Sequence, residues 1–342
     1  METFIERLAQ MTDSQEVATN ATNNQIVKRL VPPHVESLKP YQPGRPPDEL
    51  THELGLTKFI NLASNESSFG PSARTLSAIH EAFPLVNRYP ESGGSRLRRA
   101  LAERFKVKLE NVAIGSGSES IMANIIRAFL HGDDEALTCQ GTFIGFPVLV
   151  NAQGIKLKQI PLKNHYFDLE AITRAINEKT KIIYLCNPNN PTGTIFTRAE
   201  FDVFVRKVPE HVLIILDEAY YEFTANNPEF PDSMTYRYDN VLTLRTFSKA
   251  YGMAGIRLGY GLGHEYLINF VNRIKLPFEP NVLAQAAGLA ALSDQDHLNQ
   301  LLANNRKGMD YLTYQMDRLS LKHISILYKP SVAFGALGSS GR

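Results

Sequence analysis

Lys249 and Arg257 stand eight positions apart in the stretch 240–261, where Thr246, Ser248 and several glycines accompany them. Val241, Leu242 and Leu244 read as a buried strand, Thr246-Phe247-Ser248-Lys249 leaves it, and Tyr251-Gly252 turns the chain. A lysine just past a buried strand, set among Phe247, Ala250 and Tyr251, is partly stripped of water. Desolvation disfavours the ammonium and lowers its pKa. Such an amine suits Schiff-base formation with an aldehyde. The Arg257 guanidinium and the hydroxyls of Thr246 and Ser248 suit a phosphate. A single lysine in this position is more often a solvated surface residue, so the reading depends on what else the chain supplies.

Three other stretches supply it. Gly115-Ser116-Gly117-Ser118-Glu119 lies between a strand and a helix, where free N–H groups and Ser118 make an anion site. The same letters also spell a glycine turn with an N-cap serine. Asn187-Pro188-Asn189-Asn190-Pro191-Thr192-Gly193 follows an apolar strand. Its prolines fix a rigid turn, either a plain one or one that aims an amide into the crevice at the strand ends. Asp217 closes the apolar run Val212-Leu213-Ile214-Ile215-Leu216. A carboxylate at the edge of a core needs a partner, and a cationic ring nitrogen serves as well as a helix cap or an ion pair. Phe143 adds an aromatic that can stack on a flat ring or fill core.

The elements that must position these residues alternate. Strand signals at 112–114, 135–138, 156–160, 181–186 and 211–216 are separated by helical ones at 118–130, 143–152, 168–176 and 197–207. That alternation predicts an α/β fold with a largely parallel sheet. Thr197 with Glu200 forms a capping-box pattern. Upstream, 59–62 reads as a short strand, with helices at 72–83 and 95–105. Downstream, a long helix is expected near 296–319. Residues 30–47 carry six prolines and read as an extended arm.

With 342 residues, 43% hydrophobic and 21% charged, the chain has the composition of a globular protein large enough for two domains. Lys and Arg total 36 against 35 Asp and Glu, which gives no footprint for nucleic acid or an acidic membrane. Two cysteines and nine histidines fall into no metal or disulfide spacing. The sequence carries no membrane-length apolar run and no signal-peptide pattern at its start, and reads as cytoplasmic.

Taken together, the motifs run in the order anion turn, Gly141-Thr142-Phe143, Asn-Pro-Thr-Gly, strand-Asp-x-x-Tyr, then Ser-Lys with Arg eight later. In this order the chain resembles the fold-type I pyridoxal-phosphate aminotransferases. It is most similar to the histidinol-phosphate aminotransferase branch, through Asn65-Glu66 with Gly70-Pro71-Ser72, Arg88-Tyr89-Pro90 with Gly93-Gly94, and Leu276-Pro277-Phe278 leading to Leu283-Ala284-Gln285. The resemblance spans roughly residues 28–333. It implies a three-layer α/β/α large domain with a mostly parallel seven-stranded sheet at 76–290. Around that domain it implies a flexible extension at 1–27, an arm and part of a small domain at 28–75, and an incomplete small domain at 291–342. It also implies pyridoxal 5'-phosphate, with Lys249 as the Schiff-base lysine and proton carrier and Asp217 on the ring nitrogen. Asn190 and Tyr220 would bond the phenolic oxygen, Phe143 would stack on the ring, and Gly117, Ser118, Thr246, Ser248 and Arg257 would hold the phosphate, with Glu119 also among the cofactor-binding residues. Tyr89 would reach the cofactor of a second subunit in a homodimer, and Asn65 would border substrate.

The sequence departs from that branch at Ser68, at Ser118-Glu119-Ser120 and at Phe143. Its largest departure is at the end, where Phe334-Gly335-Ala336-Leu337-Gly338 replaces the family's continuation. The expectation is therefore transamination of histidinol phosphate with 2-oxoglutarate. The alternatives are an aromatic aminotransferase, a phosphothreonine decarboxylase, or a shortened cofactor-binding protein lacking the carboxylate-binding arginine.

Overall fold

The computed structural model describes residues 30–39, 53, 55, 64–236 and 238–320. The extension at 1–27, the expected strand at 59–62, most of the proline-rich arm and the stretch 328–342 lie outside the described residues. The chain divides into two compact units, Met1–Pro40 and Tyr41–Arg342. In the first, one helical turn, Pro33–Glu36, opens on a proline, whose missing N–H is no loss at a first helical position. The sheet, its helices and the candidate site all belong to the second.

That unit's strands are β1 (Val112–Gly115), β2 (Glu135–Cys139), β3 (Lys156–Ile160), β4 (Thr180–Cys186), β5 (Leu213–Asp217), β6 (Val241–Thr246) and β7 (Gly259–Leu262). Its helices of seven or more residues are α1 (Ala73–Ala82), α2 (Ser95–Phe105), α3 (Ser118–Phe129), α4 (Gly145–Ala152), α5 (Leu169–Ala175), α6 (Arg198–Val205), α7 (Glu265–Ile274), α8 (Val282–Ser293) and α9 (Gln295–Arg318). The strands form one sheet in the order β1-β7-β6-β5-β4-β2-β3. β2 through β6 pair in parallel, and β7 runs antiparallel to both β1 and β6. β5 is buried along its whole length, as befits a Leu-Ile-Ile-Leu run covered on both faces.

Side-chain alternation builds the layers. Val112 and Ile114 of β1 pack with Leu97 and Leu101 of α2 and with Ala284 and Ala287 of α8. Ala113, between them, faces the other way into a cluster with Ile121 and Ile125 of α3. Helices therefore cover both faces of the sheet. α6 starts on the expected reciprocal cap, with the Glu200 N–H donating to Thr197 Oγ1 at 3.3 Å and the Thr197 N–H to Glu200 Oε2 at 2.7 Å. The helix expected from 143 begins at Gly145 instead, which leaves Phe143 in the preceding turn.

β7 is the element hidden from sequence reading, because two of its four residues are glycine. Gly259 has to be one: a Cβ there would stand 2.2 Å from the Ser118 backbone nitrogen. Since β7 is antiparallel, it starts at the edge where β1, β4, β5 and β6 end. Gly115, Cys186, Asp217 and Thr246 finish their strands on that one edge, the edge where open α/β sheets bind ligands.

Candidate active site

At this edge a cavity of about 370 Å³ brings together Lys249, Asp217, Tyr220, Asn190 and Phe143 with Gly117, Ser118, Glu119, Thr246, Ser248 and Arg257. Stretches distant in sequence converge there because each follows a strand that ends on the same side of the sheet.

Asp217 is 4% exposed. Its Oδ2 accepts a hydrogen bond from the Tyr184 hydroxyl at 2.8 Å, and its Oδ1 accepts from the Ala219 N–H at 3.1 Å. Burial drives its pKa up to about 6; the Tyr184 and Ala219 hydrogen bonds oppose this, Glu119 adds to it, and Lys249 counters it. The site thus holds a costly carboxylate that a cation in the cavity would relieve.

Lys249 is half-buried, and its Nζ donates to the Ser64 carbonyl at 3.1 Å. Its pKa is lowered, first by burial and further by Arg257, with Glu66 and Asp217 acting in the opposite direction. The desolvation expected from its neighbours is therefore present, and the free amine is more accessible than on a solvated lysine.

The anion end is built from backbone as much as side chain. Gly117 precedes α3 with φ +88° and no side-chain cap occupies the first N–H groups of that helix. A Cβ at Gly117 would lie 2.7 Å from Arg257 Nη2, so only glycine lets the guanidinium close over the turn. Arg257 adopts φ +59° and is steadied by Nη1 donating to the Ala254 carbonyl at 3.0 Å. The Thr246 hydroxyl donates to Ser248 Oγ at 3.0 Å, and the Ser248 N–H returns to Thr246 Oγ1 at 3.1 Å. Helix N–H groups, paired hydroxyls and a guanidinium form a cradle for a phosphate.

The three asparagines of the Asn-Pro turn separate by role. The Asn187 side chain is tied to the Phe196 backbone, accepting from its N–H at 3.1 Å, and Asn189 donates to the Gly141 carbonyl at 3.1 Å. Asn190 alone of the three lines the cavity. Asn65 lies outside the cavity lining but reaches it indirectly, its Nδ2 donating to the Tyr220 hydroxyl at 3.1 Å. Tyr89 does not belong to this chain's cavity. It is 80% exposed and stacks on Phe278 with ring centroids 4.2 Å apart. Among the described residues no acidic, histidine or cysteine cluster suits a metal, and no helix is long and apolar enough to cross a membrane.

Sequence reasoning missed several groups. Cys186, Ser64 and Glu66 also line the cavity. On the far side of β5, Glu218 is fully buried and accepts from Arg245 Nη2 at 2.6 Å and Nε at 2.9 Å. Arg245 also donates to Asp232 at 2.9 Å and stacks on Tyr221 at 3.4 Å. Burial works against the Arg245 charge, but Glu218 and Asp232 outweigh it and leave its pKa raised. The partners lie 27 and 13 residues away in sequence, which is why no local pattern reveals them.

The fold and cavity bring one lysine, a buried carboxylate and an anion cradle together at a single site. The chain belongs to the aminotransferase class I and II family, which it matches over residues 57–326. It is 41% identical over 293 residues to histidinol-phosphate aminotransferase 2 of Carboxydothermus hydrogenoformans, covering 85% of this chain and 81% of that protein. It is 43% identical over 272 residues to the histidinol-phosphate aminotransferase of an Anaeromyxobacter species, covering 79% of this chain and 74% of that one. Among solved structures it is similar to histidinol-phosphate aminotransferase from Sinorhizobium meliloti in complex with pyridoxal-5'-phosphate. There the TM-score is 0.76 and the identity 30%, over 84% of this chain and 78% of that one. Aspartate aminotransferase from Thermus thermophilus shares the fold at TM-score 0.76 and 23% identity, over 89% of this chain and 83% of that one.

Proposed function

We propose that this chain is a pyridoxal-phosphate-dependent transaminase that moves the amino group of histidinol phosphate to 2-oxoglutarate, a step of histidine biosynthesis. The observation that carries this reading is the single cavity shared by a buried Asp217, a lysine of lowered pKa and an anion cradle. The relatives' activity supports the substrate.

Pyridoxal phosphate fits the residues on three counts. Its phosphate suits the cradle that Gly117 and Arg257 close, its ring nitrogen suits the strained Asp217 carboxylate, and its aldehyde suits Lys249. The cavity volume of about 370 Å³ falls within the usual range for small-molecule sites. Bound there, the cofactor supplies an electron sink for the pair released at the substrate's α-carbon.

The remaining work falls to side chains. Ser118, Thr246, Ser248 and Arg257 would hold the phosphate. Asp217 would keep a proton on the ring nitrogen, Asn190 and Tyr220 would bond the phenolic oxygen, and Phe143 would cover a ring face. Glu119 lies beside the phosphate turn, and Asn65 orients Tyr220 on the substrate side. Lys249 Nζ would hold the aldehyde carbon and, once freed as an amine by the incoming substrate amine, would move a proton at the substrate's α-carbon. Tyr89, exposed beside Phe278, would serve the site of a second copy in a cytoplasmic homodimer. Residues 76–290 form the cofactor-binding body in this reading, with a second domain contributed by 28–75 and by the chain from 291.

The test is a half-reaction panel on cofactor-loaded protein. Histidinol phosphate should bleach the visible absorbance and 2-oxoglutarate should restore it. Faster bleaching by aromatic amino acids would reassign the substrate, and carbon dioxide release from phosphothreonine would reassign the reaction.

A further inference from the structure

We infer that Tyr184, a core residue outside the cavity lining, is a positioning residue that orients the Asp217 carboxylate and keeps it ionised, and so sets how firmly that carboxylate holds a cationic ring nitrogen. The inference rests on the cofactor reading above, but its geometry stands in the chain alone. Tyr184 is fully buried in β4, with its Cα opposite Ile215 of β5, two residues inward from the Cys186–Asp217 pair. Alternation along the two strands therefore puts Tyr184 on the same face as Asp217. Its hydroxyl donates to Asp217 Oδ2 at 2.8 Å, while the Ala219 N–H occupies Oδ1 at 3.1 Å. Each carboxylate oxygen is thus held by one protein donor.

The phenol is fixed from behind. Its ring stacks on Phe146 with centroids 4.5 Å apart and planes 10° apart. Its backbone carbonyl accepts from the Thr138 hydroxyl at 2.9 Å. Burial holds the phenol's own pKa far above the ordinary value, so it remains a donor across the working pH range.

Other groups also face Asp217. They are Cys186 from β4, Glu119 from α3, Tyr220 beyond β5 and Lys249 beyond β6. Among the influences that oppose burial and favour the carboxylate, the Tyr184 hydrogen bond is the largest. Without it, burial would push Asp217 toward a neutral acid at physiological pH, and a neutral acid does not stabilise a cationic nitrogen.

Tyr184→Phe keeps the ring and its stack and deletes only the hydroxyl. In ligand-free protein, an infrared difference titration can follow the Asp217 carboxyl, identified by its loss in Asp217→Asn. Losing one hydrogen bond to a charged group should raise its midpoint by about 1–2 pH units, roughly tenfold to a hundredfold in the protonation equilibrium. In loaded enzyme, the acid limb of the kcat/KM profile should move up with it. Phe146→Leu, which removes the stack but keeps the phenol, should lower the melting temperature and leave the midpoint in place. Uniform 3-fluorotyrosine labelling makes the phenol a stronger donor and should move the midpoint downward. An unmoved midpoint in Tyr184→Phe, an equal shift in Phe146→Leu, or a fluorotyrosine shift in the upward direction would each overturn the assignment. Should Tyr184→Phe fail to fold, the fluorotyrosine shift measured in a Tyr220→Phe background, which removes the other phenol facing Asp217, decides. Because the infrared arm needs neither cofactor nor substrate, wild-type protein that binds no pyridoxal phosphate would refute only the functional reading.

Discussion

Consider Asp217→Asn in the ligand-free protein. Burial raises the Asp217 pKa from 3.8 to about 6. An acid whose pKa is raised by folding binds its proton more tightly in the native state. Its contribution to stability is therefore complete below the unfolded value and is lost as the pH climbs through the folded one. A gap of about 2 pH units corresponds to about 3 kcal/mol lost at pH 8, and about half that at pH 5. Asparagine removes the charge but offers one acceptor where the Tyr184 hydroxyl and Ala219 N–H both donate. The hydroxyl can turn and accept instead, leaving a residual cost of about 1–2 kcal/mol. The variant should then be more stable than the parent by about 1–2 kcal/mol at pH 8 and nearly equal to it at pH 5. Urea unfolding at both pH values reads this difference. Turnover should fall over the same substitution by about 3–4 kcal/mol on the barrier, in line with the loss of other preorganised charges. A stability difference independent of pH would show that Asp217 is not an uncompensated carboxylate. Unchanged turnover would remove it from the mechanism.

Borohydride treatment of cofactor-loaded protein should attach the cofactor to the peptide carrying Lys249; attachment at another lysine would displace Lys249 from its role. Gly259→Ala forces a Cβ onto the Ser118 backbone nitrogen, an atom that cannot rotate away. The strain, about 1–3 kcal/mol, should separate β7 from the phosphate turn and weaken pyridoxal phosphate binding about tenfold or more in a fluorescence titration. If Tyr89 serves a neighbouring site, mixing Tyr89→Phe subunits with Lys249→Ala subunits should give more activity than the average of the two parents. Sedimentation of a fully active monomer would exclude that arrangement.

The acid at the end of β5 was legible because an unbroken apolar run must stop where its first charge appears, and the run is in one piece. The capping box before α6 and the glycine turn before α3 were legible for the same reason, since their partners lie within a few residues. β7 was not, because glycine gives no pattern and the need for Gly259 comes from Ser118, far upstream. The choice among Asn187, Asn189 and Asn190 rested on resemblance; only folded geometry shows that the first two are occupied with backbone. Tyr184 looked like one more strand residue, since its hydroxyl partner is 33 residues away on the neighbouring strand.

The Glu218–Arg245 pair acts as a frame check on β5. Asp217 and Glu218 are adjacent, so the pleat sends one toward the cavity and the other toward Arg245. On β6 the same alternation presents Thr246 to the cavity and Arg245 to the opposite face. A slip of one residue would turn Asp217 away from the cavity while leaving the strand as apolar as before. Hydrophobicity alone cannot detect that error. The arginine can, because its bonds to Glu218 and Asp232 and its seat on Tyr221 accept one acid length at one position. Length changes in the loop ahead of β5 are therefore tolerable, whereas loss of a single residue inside 213–217 would bring the longer acid into the cavity and leave Ala219 at the position that faces the guanidinium.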